Sequence, residues 1–471
     1  MIKCSIAVDI GASSGRLIAG YLENEVLKLQ EIHRFENKLV RKGTYFCWEI
    51  DKLFDEIKEG VHQCRRLGLQ PESIGIDTWA VDFLLLDEKD QPLTDAVSYR
   101  DPRTDGMIEE VSKLIPKDRL YSKTGIQFQK FNTIYQLYSI KQNNPEILNQ
   151  ARTFLMIPDY LNFLLTGKKV NEYTNATSTQ LVNAHTKEWD EELITELGLN
   201  HGMFQEIQMP KTVLGTLREE LVSEFGFDMK VILPATHDTG SAVVSIPEQE
   251  DTIYISSGTW SLIGVENNQP ICTPEAMNYN FTNEGGMDYR FRFLKNIMGL
   301  WMIQEVKRNY NGQYSFGELV ELARQAKEYK AIINVNDDRF MKPENMIQEI
   351  IASCLATGQH APETPGEVAK CVYDSLAASY QEAINHIEGL VGRTFKQVNV
   401  IGGGCQNKLL NELIANVTYK EIHAGPVEAT AIGNLSVQFM ALGHIQDISK
   451  ARTIIKHSFE MKTYLPSKNQ I

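Results

Sequence analysis

KCSIAVDIGASSGRLIAGYLE, residues 3–23, is the segment from which the fold can first be inferred. An apolar run at 3–10 is followed by GASSGR at 11–16 and by a second apolar run at 17–23. Strand, glycine-containing turn and strand predict a β-hairpin, and a third strand is expected at 26–35 after an Asn-Glu turn. A Walker phosphate loop or a dinucleotide fingerprint needs a helix directly after its glycines, so both motifs are excluded here.

The same pattern returns in the second half of the chain, as TIYISSGTWSLIGVE from residue 252. SSGR at 13–16 and SSGT at 256–259 each stand between paired apolar runs, which predicts an internal duplication. Single hydrophobic cores stop growing at about 250–300 residues, so a chain of 471 residues is expected to form two large domains.

Further elements follow from periodicity and breakers. We expect helices at 51–66, 367–390 and 408–418, strands at 73–78 and 81–87, and a mainly helical stretch at 101–230. A strand within 397–407 runs into three glycines at 402–404 and then into a helix, an arrangement that could hold an anion or a ribose.

Composition excludes several classes of protein. With 42% hydrophobic and 23% charged residues the chain is an ordinary globular one, and a net charge of −14 without a basic stripe argues against nucleic acid as a partner. The seven cysteines are scattered and show no CxxC pair, so we expect reduced thiols and a cytoplasmic protein. No apolar stretch approaches the ~18 residues of a membrane span.

The first hairpin turn carries groups that suit phosphate oxygens: the backbone amides of residues 12–16, the hydroxyls of Ser13 and Ser14, and the guanidinium of Arg16. An ordinary hairpin turn is the alternative for a single copy. Two copies favour the phosphate interpretation, with the glycines at 402–404 holding the nucleoside.

Two aspartates could complete such a site. Asp9 precedes the first turn, where a carboxylate could bind magnesium, usually through water, although a surface turn would also accommodate it. Asp238, in VILPATHDTGSAVV at 231–244, could cap the following helix or could take a proton from a substrate hydroxyl. His237 beside it could make a structural hydrogen bond.

Motifs along nearly the whole chain resemble the FGGY carbohydrate kinases of the actin and hexokinase-like ATPase superfamily. No single motif decides this, but their joint order is specific. They are DIGASSGRL from Asp9, EIHRF from Glu31, SIGIDTWAVDFLLLD from Ser73, YRDPRT from Tyr99, FNTIYQLY from Phe131, PDYLNFLLTGK from Pro158, EYTNATSTQLVN from Glu172, THDTGSAV from Thr236, YISSGTWSLIG from Tyr254, NEGG from Asn283, KNIMGLWMIQ from Lys295 and VIGGGCQN from Val400.

The resemblance implies an α/β fold of two actin-like (ribonuclease H-like) ATPase domains with a central cleft. Residues 1–245 would form an N-terminal domain with the first phosphate loop, the sugar site and the catalytic aspartate. Residues 246–471 would form a C-terminal domain with the second phosphate loop and the adenosine site.

The resemblance also implies a reaction: transfer of the γ-phosphate of ATP, with Mg²⁺, to O1 of L-rhamnulose in L-rhamnose degradation. Asp238 would be the proton acceptor and Asp9 the metal residue. The positions that match ATP contacts are Ala12, Ser13, Ser14, Gly15, Arg16, Thr259, Gln304 and Gly402, and those that match sugar contacts are Ala80, His237, Asp238, Thr239 and Asn296.

Ala80 departs from the family pattern, which has glycine there, so an added methyl group could alter sugar preference. A kinase for another ketose or polyol such as L-fuculose is therefore the near alternative. A non-catalytic nucleotide-dependent regulator or chaperone-like ATPase is the alternative of a different class. Of the oligomeric states, we favour a monomer.

Overall fold

The computed structural model describes residues 1–247 and 252–467, which divide into two compact units. The first unit consists of Met1–Pro247, Glu266–Phe293 and Ala429–Ser458, and the second comprises the described residues 252–265, 294–428 and 459–467. Two segments of the second half of the chain thus belong to the first unit. A domain boundary at 245/246 stays a prediction, and the segments 248–251 and 468–471 of the predicted second domain lie outside the described residues.

The strands follow one another along the chain with these bounds: β1 Ile2–Ile10, β2 Ser14–Glu23, β3 Val26–Glu36, β4 Leu39–Lys42, β5 Tyr45–Trp48, β6 Leu69–Thr78, β7 Phe83–Leu86, β8 Ala96–Val97, β9 Thr153–Met156, β10 Asn171–Glu172, β11 Ile207–Gln208, β12 Val213–Thr216, β13 Lys230–Ile232, β14 Thr252–Ser257, β15 Trp260–Asn267, β16 Thr282–Gly285, β17 Phe291–Met298, β18 Gln397–Ile401, β19 Glu421–Ala424 and β20 Lys462–Tyr464.

The α-helices are α1 Ile50–Arg66, α2 Met107–Leu114, α3 Lys117–Thr124, α4 Thr133–Asn143, α5 Pro145–Gln150, α6 Ile157–Thr166, α7 Tyr173–Ala176, α8 Glu191–Glu196, α9 Glu219–Phe225, α10 Asp238–Val244, α11 Pro274–Asn278, α12 Trp301–Asn309, α13 Phe316–Gln325, α14 Met346–Ala356, α15 Pro365–Val391, α16 Lys408–Thr418, α17 Ala429–Ala441 and α18 Ile448–Ser458. In the described parts of the chain, none of them is both long enough and apolar enough to cross a membrane.

The first unit is built on a six-stranded sheet with the order β12-β13-β6-β1-β2-β3. The predicted hairpin is confirmed, because β1, β2 and β3 pair antiparallel in sequence. β6 lies parallel to both β1 and β13. Apolar residues of β1 share a buried core with Leu53 and Ile57, which lie on the buried face of α1. The helix expected at 51–66 is therefore also confirmed.

Helix α17 explains why residues 429–458 belong to the first unit. It packs on α10 and on β1, and a methyl group at Gly433 would lie 1.8 Å from the backbone oxygen of Ser241, so only glycine permits this approach. Its Gln438 donates to the backbone oxygen of Ile6 at 2.9 Å. These contacts attach a late segment of the chain to the earliest strand.

The strands of the second unit belong to a seven-stranded sheet with the order β16-β17-β15-β14-β18-β19-β20, and the six strands from β17 to β20 match β3-β2-β1-β6-β13-β12 strand for strand. β14 and β15 form the second predicted hairpin, β18 lies parallel to β14 and to β19, and β20 closes the sheet antiparallel to β19. β12 is antiparallel to β13 in the same way. The predicted internal duplication is confirmed at the level of topology.

The prediction of a mainly helical stretch at 101–230 is wrong in part. Helices α2–α9 lie there, but β9 pairs with β7, and β12 and β13 complete the first sheet. These strands have three or four residues, too few to show a period of two in the sequence. The long helix α15, with its Thr364–Glu367 capping box, and the strand β18 followed by α16 are as predicted.

Candidate active site

The first predicted phosphate loop is the turn between β1 and β2. Gly11 N–H donates to the backbone oxygen of Ser14 at 2.9 Å, and Asn37 fastens the turn from the end of β3 through its backbone and side-chain N–H groups. Ser13 and Ser14 are exposed, whereas Ala12 is half-buried. The turn is therefore held from behind while its hydroxyls face solvent.

Gly15 has a packing role in this loop. A methyl group placed on it would lie 2.2 Å from the ring of Phe35 on β3, although its backbone is not in the left-handed region. Asn37 and Phe35 were missed by sequence reasoning. The pairing of β2 with β3, which places Gly15 opposite Phe35, is the signal that could have identified the latter.

Asp9 and Arg16 face each other across β1 and β2. Arg16 donates through Nε and Nη2 to Asp9 Oδ2, at 3.1 and 2.9 Å. The predicted phosphate residue thus contacts the predicted metal residue. Among the described residues, no group of three or more metal-binding side chains occurs, but a carboxylate beside a phosphate loop is the donor that Mg²⁺ prefers when it arrives with phosphates.

Asp77 is an acidic residue that sequence reasoning missed. It is the register partner of Asp9 on the parallel strand β6, is fully buried, and accepts from Asn434 Nδ2 at 2.6 Å. Its Oδ1 has no hydrogen-bond partner within the described residues. Burial, and then the charges of Asp9 and Asp238, raise the pKa of Asp77 well above its usual value. Asp77 occupies the same place in β6 as Asp9 does in β1, and this could have identified it.

Asp238 is the first residue of α10. Its Oδ1 accepts from Thr239 N–H at 2.5 Å and from Thr239 Oγ1 at 3.1 Å, while 32% of its side chain is exposed. Thr78 N–H donates to the backbone oxygen of Thr236 at 2.9 Å, which attaches this segment to the end of β6. His237 is the N-cap residue of α10 and no side-chain capping hydrogen bond occurs there, so the capping role considered for Asp238 is not observed, while its carboxylate is partly accessible.

A buried carboxylate, Glu172, holds the segment before Asp238. Its Oε1 accepts from Thr174 N–H at 2.9 Å. Its Oε2 accepts from Thr174 Oγ1, Asn175 N–H, Thr236 N–H and Thr236 Oγ1, at 2.6, 3.2, 3.0 and 2.6 Å. Burial raises the pKa of Glu172, and these donors oppose the rise. Nothing in the sequence linked Glu172 to Thr236, because the contact is made between distant parts of the chain.

Ala80 lies in a bend that begins two residues after the end of β6, and the next residue, Val81, has a φ of 67°. A β-branched residue in the left-handed region is strained and marks a site held by its surroundings. Thr133 Oγ1 donates to Val81 oxygen at 2.7 Å, and Asp82 accepts from the indole of Trp79 at 2.9 Å. The predicted sugar position at Ala80 is thus part of a rigid bend.

His237 lies against a buried ion pair. Its Nδ1 is 3.1 Å from Arg292 Nη2 and 3.3 Å from Glu284 Oε2, and its Nε2 is 3.5 Å from Asp238 Oδ1. Arg292 and Glu284 lie 3.1 Å apart and are 1% and 8% exposed. Neither belonged to the predicted site, although Glu284 lies in the NEGG motif.

Three predicted ATP residues lie at one end of the sheet of the second unit. Thr259 is exposed in the β14–β15 turn, and its backbone oxygen accepts from Trp301 N–H at 3.1 Å at the start of α12, the helix that carries Gln304. Gly402, with a φ of 81°, follows β18, where a methyl group would lie 3.1 Å from Ser257 oxygen.

Asn296 lies on β17. Its Oδ1 is buried and has no hydrogen-bond partner within the part of the chain that the structure describes. A buried amide oxygen of this kind is available to a ligand. The roles of the predicted site residues in both units stay predictions.

Comparison with known proteins gives a consistent result across the chain. Residues 4–245 match the N-terminal domain, and residues 253–442 the C-terminal domain, of the FGGY family of carbohydrate kinases. Rhamnulokinase of Halalkalibacterium halodurans is 64% identical over 98% of both chains. Rhamnulokinase of Bacillus subtilis is 46% identical over 98% of this chain and 95% of that protein.

Solved structures agree on the fold. Gluconate kinase from Lactobacillus acidophilus superposes with a TM-score of 0.83 at 18% identity, and xylulose kinase from the same organism with 0.82 at 19%. In each case 99% of this chain and 94% of the other are covered. The prediction of a two-domain α/β sugar kinase fold is confirmed.

Proposed function

This chain belongs to the FGGY family of carbohydrate kinases, and we propose that it transfers the γ-phosphate of ATP to O1 of L-rhamnulose in L-rhamnose degradation. The observation that carries the proposal is the 64% identity, over 98% of both chains, to a rhamnulokinase. The region matched at that identity extends through both halves of the chain.

In the proposed mechanism Asp238 accepts the proton of the sugar hydroxyl as that oxygen attacks the γ-phosphate. Its partly exposed carboxylate, held at the start of α10, supports this role. The Thr239 N–H and hydroxyl orient one oxygen and leave the other available to the sugar. Because catalysis of phosphoryl transfer is mainly positioning and charge stabilisation, a fixed base is what the reaction requires.

The phosphates are assigned to the turn at residues 12–16, to Thr259 and to Gln304, and the nucleoside to the glycines that begin at Gly402. Asp9 would hold Mg²⁺ that arrives with the nucleotide, and that ion would neutralise charge on the β- and γ-phosphates. Arg16, which now contacts Asp9, would then be shared with a phosphate oxygen.

The sugar is assigned to Ala80, His237, Thr239 and Asn296. Two features support this assignment: the buried Oδ1 of Asn296, which has no hydrogen-bond partner within the described residues, and the rigid bend at Ala80. We also propose that the reaction takes place in the cytoplasm, in keeping with seven free cysteines, and that the protein is a monomer, which light scattering would test.

A substrate panel tests the proposed function. ADP release measured by a coupled assay should have its highest kcat/KM on L-rhamnulose. Equal or better kcat/KM on L-fuculose would favour the neighbouring specificity, and ATP turnover that no ketose accelerates would favour a regulator or chaperone-like ATPase.

The role of Asp238 is tested by Asp238→Asn. Loss of a general base costs about 10²–10⁴-fold, so kcat should fall by that factor while ATP binding is kept. Asp87→Asn is the matched control, since the Asp87 side chain accepts from two backbone amides of an exposed turn, those of Lys89 and Gln91. Full turnover in Asp238→Asn would remove Asp238 from the role of base.

A further inference from the structure

The buried pair Glu284–Arg292 is not explained by packing alone. Arg292 is 1% exposed and Glu284 8%, and removing such a pair from water carries a penalty that an apolar pair would not. Arg292 Nε is already held by the backbone oxygen of Gly285 at 2.8 Å, which fixes the plane of the guanidinium. The group that this fixed plane contacts is the imidazole of His237.

The donor capacity of arginine decides the state of that imidazole. A guanidinium has only donors, so Arg292 Nη2, 3.1 Å from His237 Nδ1, can bond to that nitrogen only if Nδ1 accepts. In a neutral imidazole the proton must then be on Nε2. Nε2 is the nitrogen that faces Asp238, at 3.5 Å from its Oδ1.

Glu284 stabilises the buried charge of Arg292 and thereby the contact of Arg292 with His237. Its Oε2 lies 3.1 Å from Arg292 Nη2 and compensates the charge of the buried guanidinium. The same oxygen is 3.3 Å from His237 Nδ1, so without Arg292 the imidazole could instead donate from Nδ1 to Glu284. Two tautomers compete at this site, and the position of Arg292 selects one.

We propose that Glu284 and Arg292 are positioning residues that fix His237 in the tautomer with its proton on Nε2. The N–H then points toward Asp238 and the space in which a sugar hydroxyl would lie, where it donates to the carboxylate or to the sugar oxygen. This inference rests on the proposed function for its kinetic consequence, but the tautomer itself does not depend on turnover.

The test is ¹⁵N NMR of the full chain labelled at histidine, with His237→Gln used to assign the His237 signals. The wild type should show Nδ1 as the unprotonated nitrogen. In the double variant Glu284→Gln/Arg292→Met both charges are removed together, which avoids an unpaired buried charge, and the His237 signals should shift toward the other tautomer or an average of the two.

Kinetics supply the second measurement. Removing outer partners of a functional histidine typically costs about 10–100-fold, so kcat on L-rhamnulose should fall by about that factor in the double variant, with the KM for ATP within about twofold of wild type. The matched control is Arg452→Met/Glu266→Gln. It removes another buried pair of the same unit, with 2.5 Å between Arg452 Nη2 and Glu266 Oε2 and with Arg452 2% exposed, and should leave the tautomer and kcat unchanged.

The outcomes separate the two proposals. A wild-type His237 protonated on Nδ1, or a double variant with unchanged His237 signals, overturns the inference. Equal losses of kcat in the double variant and in the control also overturn it, because the effect would then be one of stability. If the wild type fails to phosphorylate L-rhamnulose, the proposed function fails while the NMR result still decides the tautomer.

Discussion

Replacing Glu172 by glutamine tests how the Thr236–Asp238 segment is held. The glutamine amide oxygen can occupy the position of Oε2 and accept from the same four donors. The glutamine NH₂ group then occupies the position of Oε1 and faces the N–H of Thr174. The backbone N–H of Thr174 thereby loses its acceptor, at a cost of about 1–3 kcal/mol. The four remaining bonds change from charge-assisted to neutral and lose about 1 kcal/mol each.

Relief of the buried charge offsets part of this loss, as the raised pKa of Glu172 indicates. We therefore expect the free energy of unfolding to fall by about 2–4 kcal/mol. Since a displacement near 1 Å at a reacting group can cost about 100-fold, kcat should fall by about 10–100-fold as the Thr236–Asp238 segment shifts.

Urea denaturation and the coupled ADP assay measure the two effects. Thr236→Ser keeps the hydroxyl that donates to Glu172 and should behave like wild type, whereas Thr236→Val loses that donor and should show a smaller version of the same defect. A Glu172→Gln protein within about 0.5 kcal/mol of wild type, with kcat within twofold, would refute the reasoning.

Three further predictions concern the surrounding site. Burial would raise the pKa of Glu284, but that pKa is lowered, chiefly by the positive charge of Arg292. The carboxylate therefore stabilises the fold above its unfolded pKa of about 4.3 and loses this effect as pH falls below that value. The stability deficit of Glu284→Gln in urea denaturation should accordingly shrink from pH 6 to pH 3.5, and a deficit that stays constant would contradict this. In Gly15→Ala the added methyl group would clash with the Phe35 ring, so the KM for ATP should rise and the melting temperature should fall. Adding Phe35→Leu to this variant should partly restore both values. If it restores neither, the defect does not arise from the contact with Phe35. Ala80→Gly should raise kcat/KM on L-rhamnulose by up to about tenfold without changing the KM for ATP, and an unchanged value would show that the methyl does not meet the sugar.

Local sequence patterns were sufficient to predict the helices and strands whose periodicity or turn residues lie within a few positions of one another. Both hairpins, α1, α15 and the strand–glycine–helix segment at 397–418 were predicted from alternation, helical spacing and breakers. Short strands were not, because β12 and β13 exist only through pairing with neighbours in the sheet. The order of the two sheets, which reveals the duplication in full, likewise depends on those pairings.

The residues of the candidate site also fall into two groups, those that the sequence indicated and those that only the tertiary structure revealed. Sequence alone placed Asp9, the 12–16 turn and Asp238 at the ends of predicted strands, and motif order identified the family. Only the tertiary structure brought Asp77 beside Asp9, Glu172 onto Thr236, and the Glu284–Arg292 pair onto His237.

The physical reason is the separation, along the chain, of the residues that interact. Secondary structure and turns follow from interactions between residues close in the chain, which leave a period or a breaker in the sequence. The hydrogen bond of Glu172 with Thr236 joins residues 64 positions apart, and the contact of Arg292 with His237 joins residues 55 apart, so no local pattern records them. Sequence indicated which segments form the candidate site, and the fold determined which buried charges hold the Thr236–Asp238 segment in place.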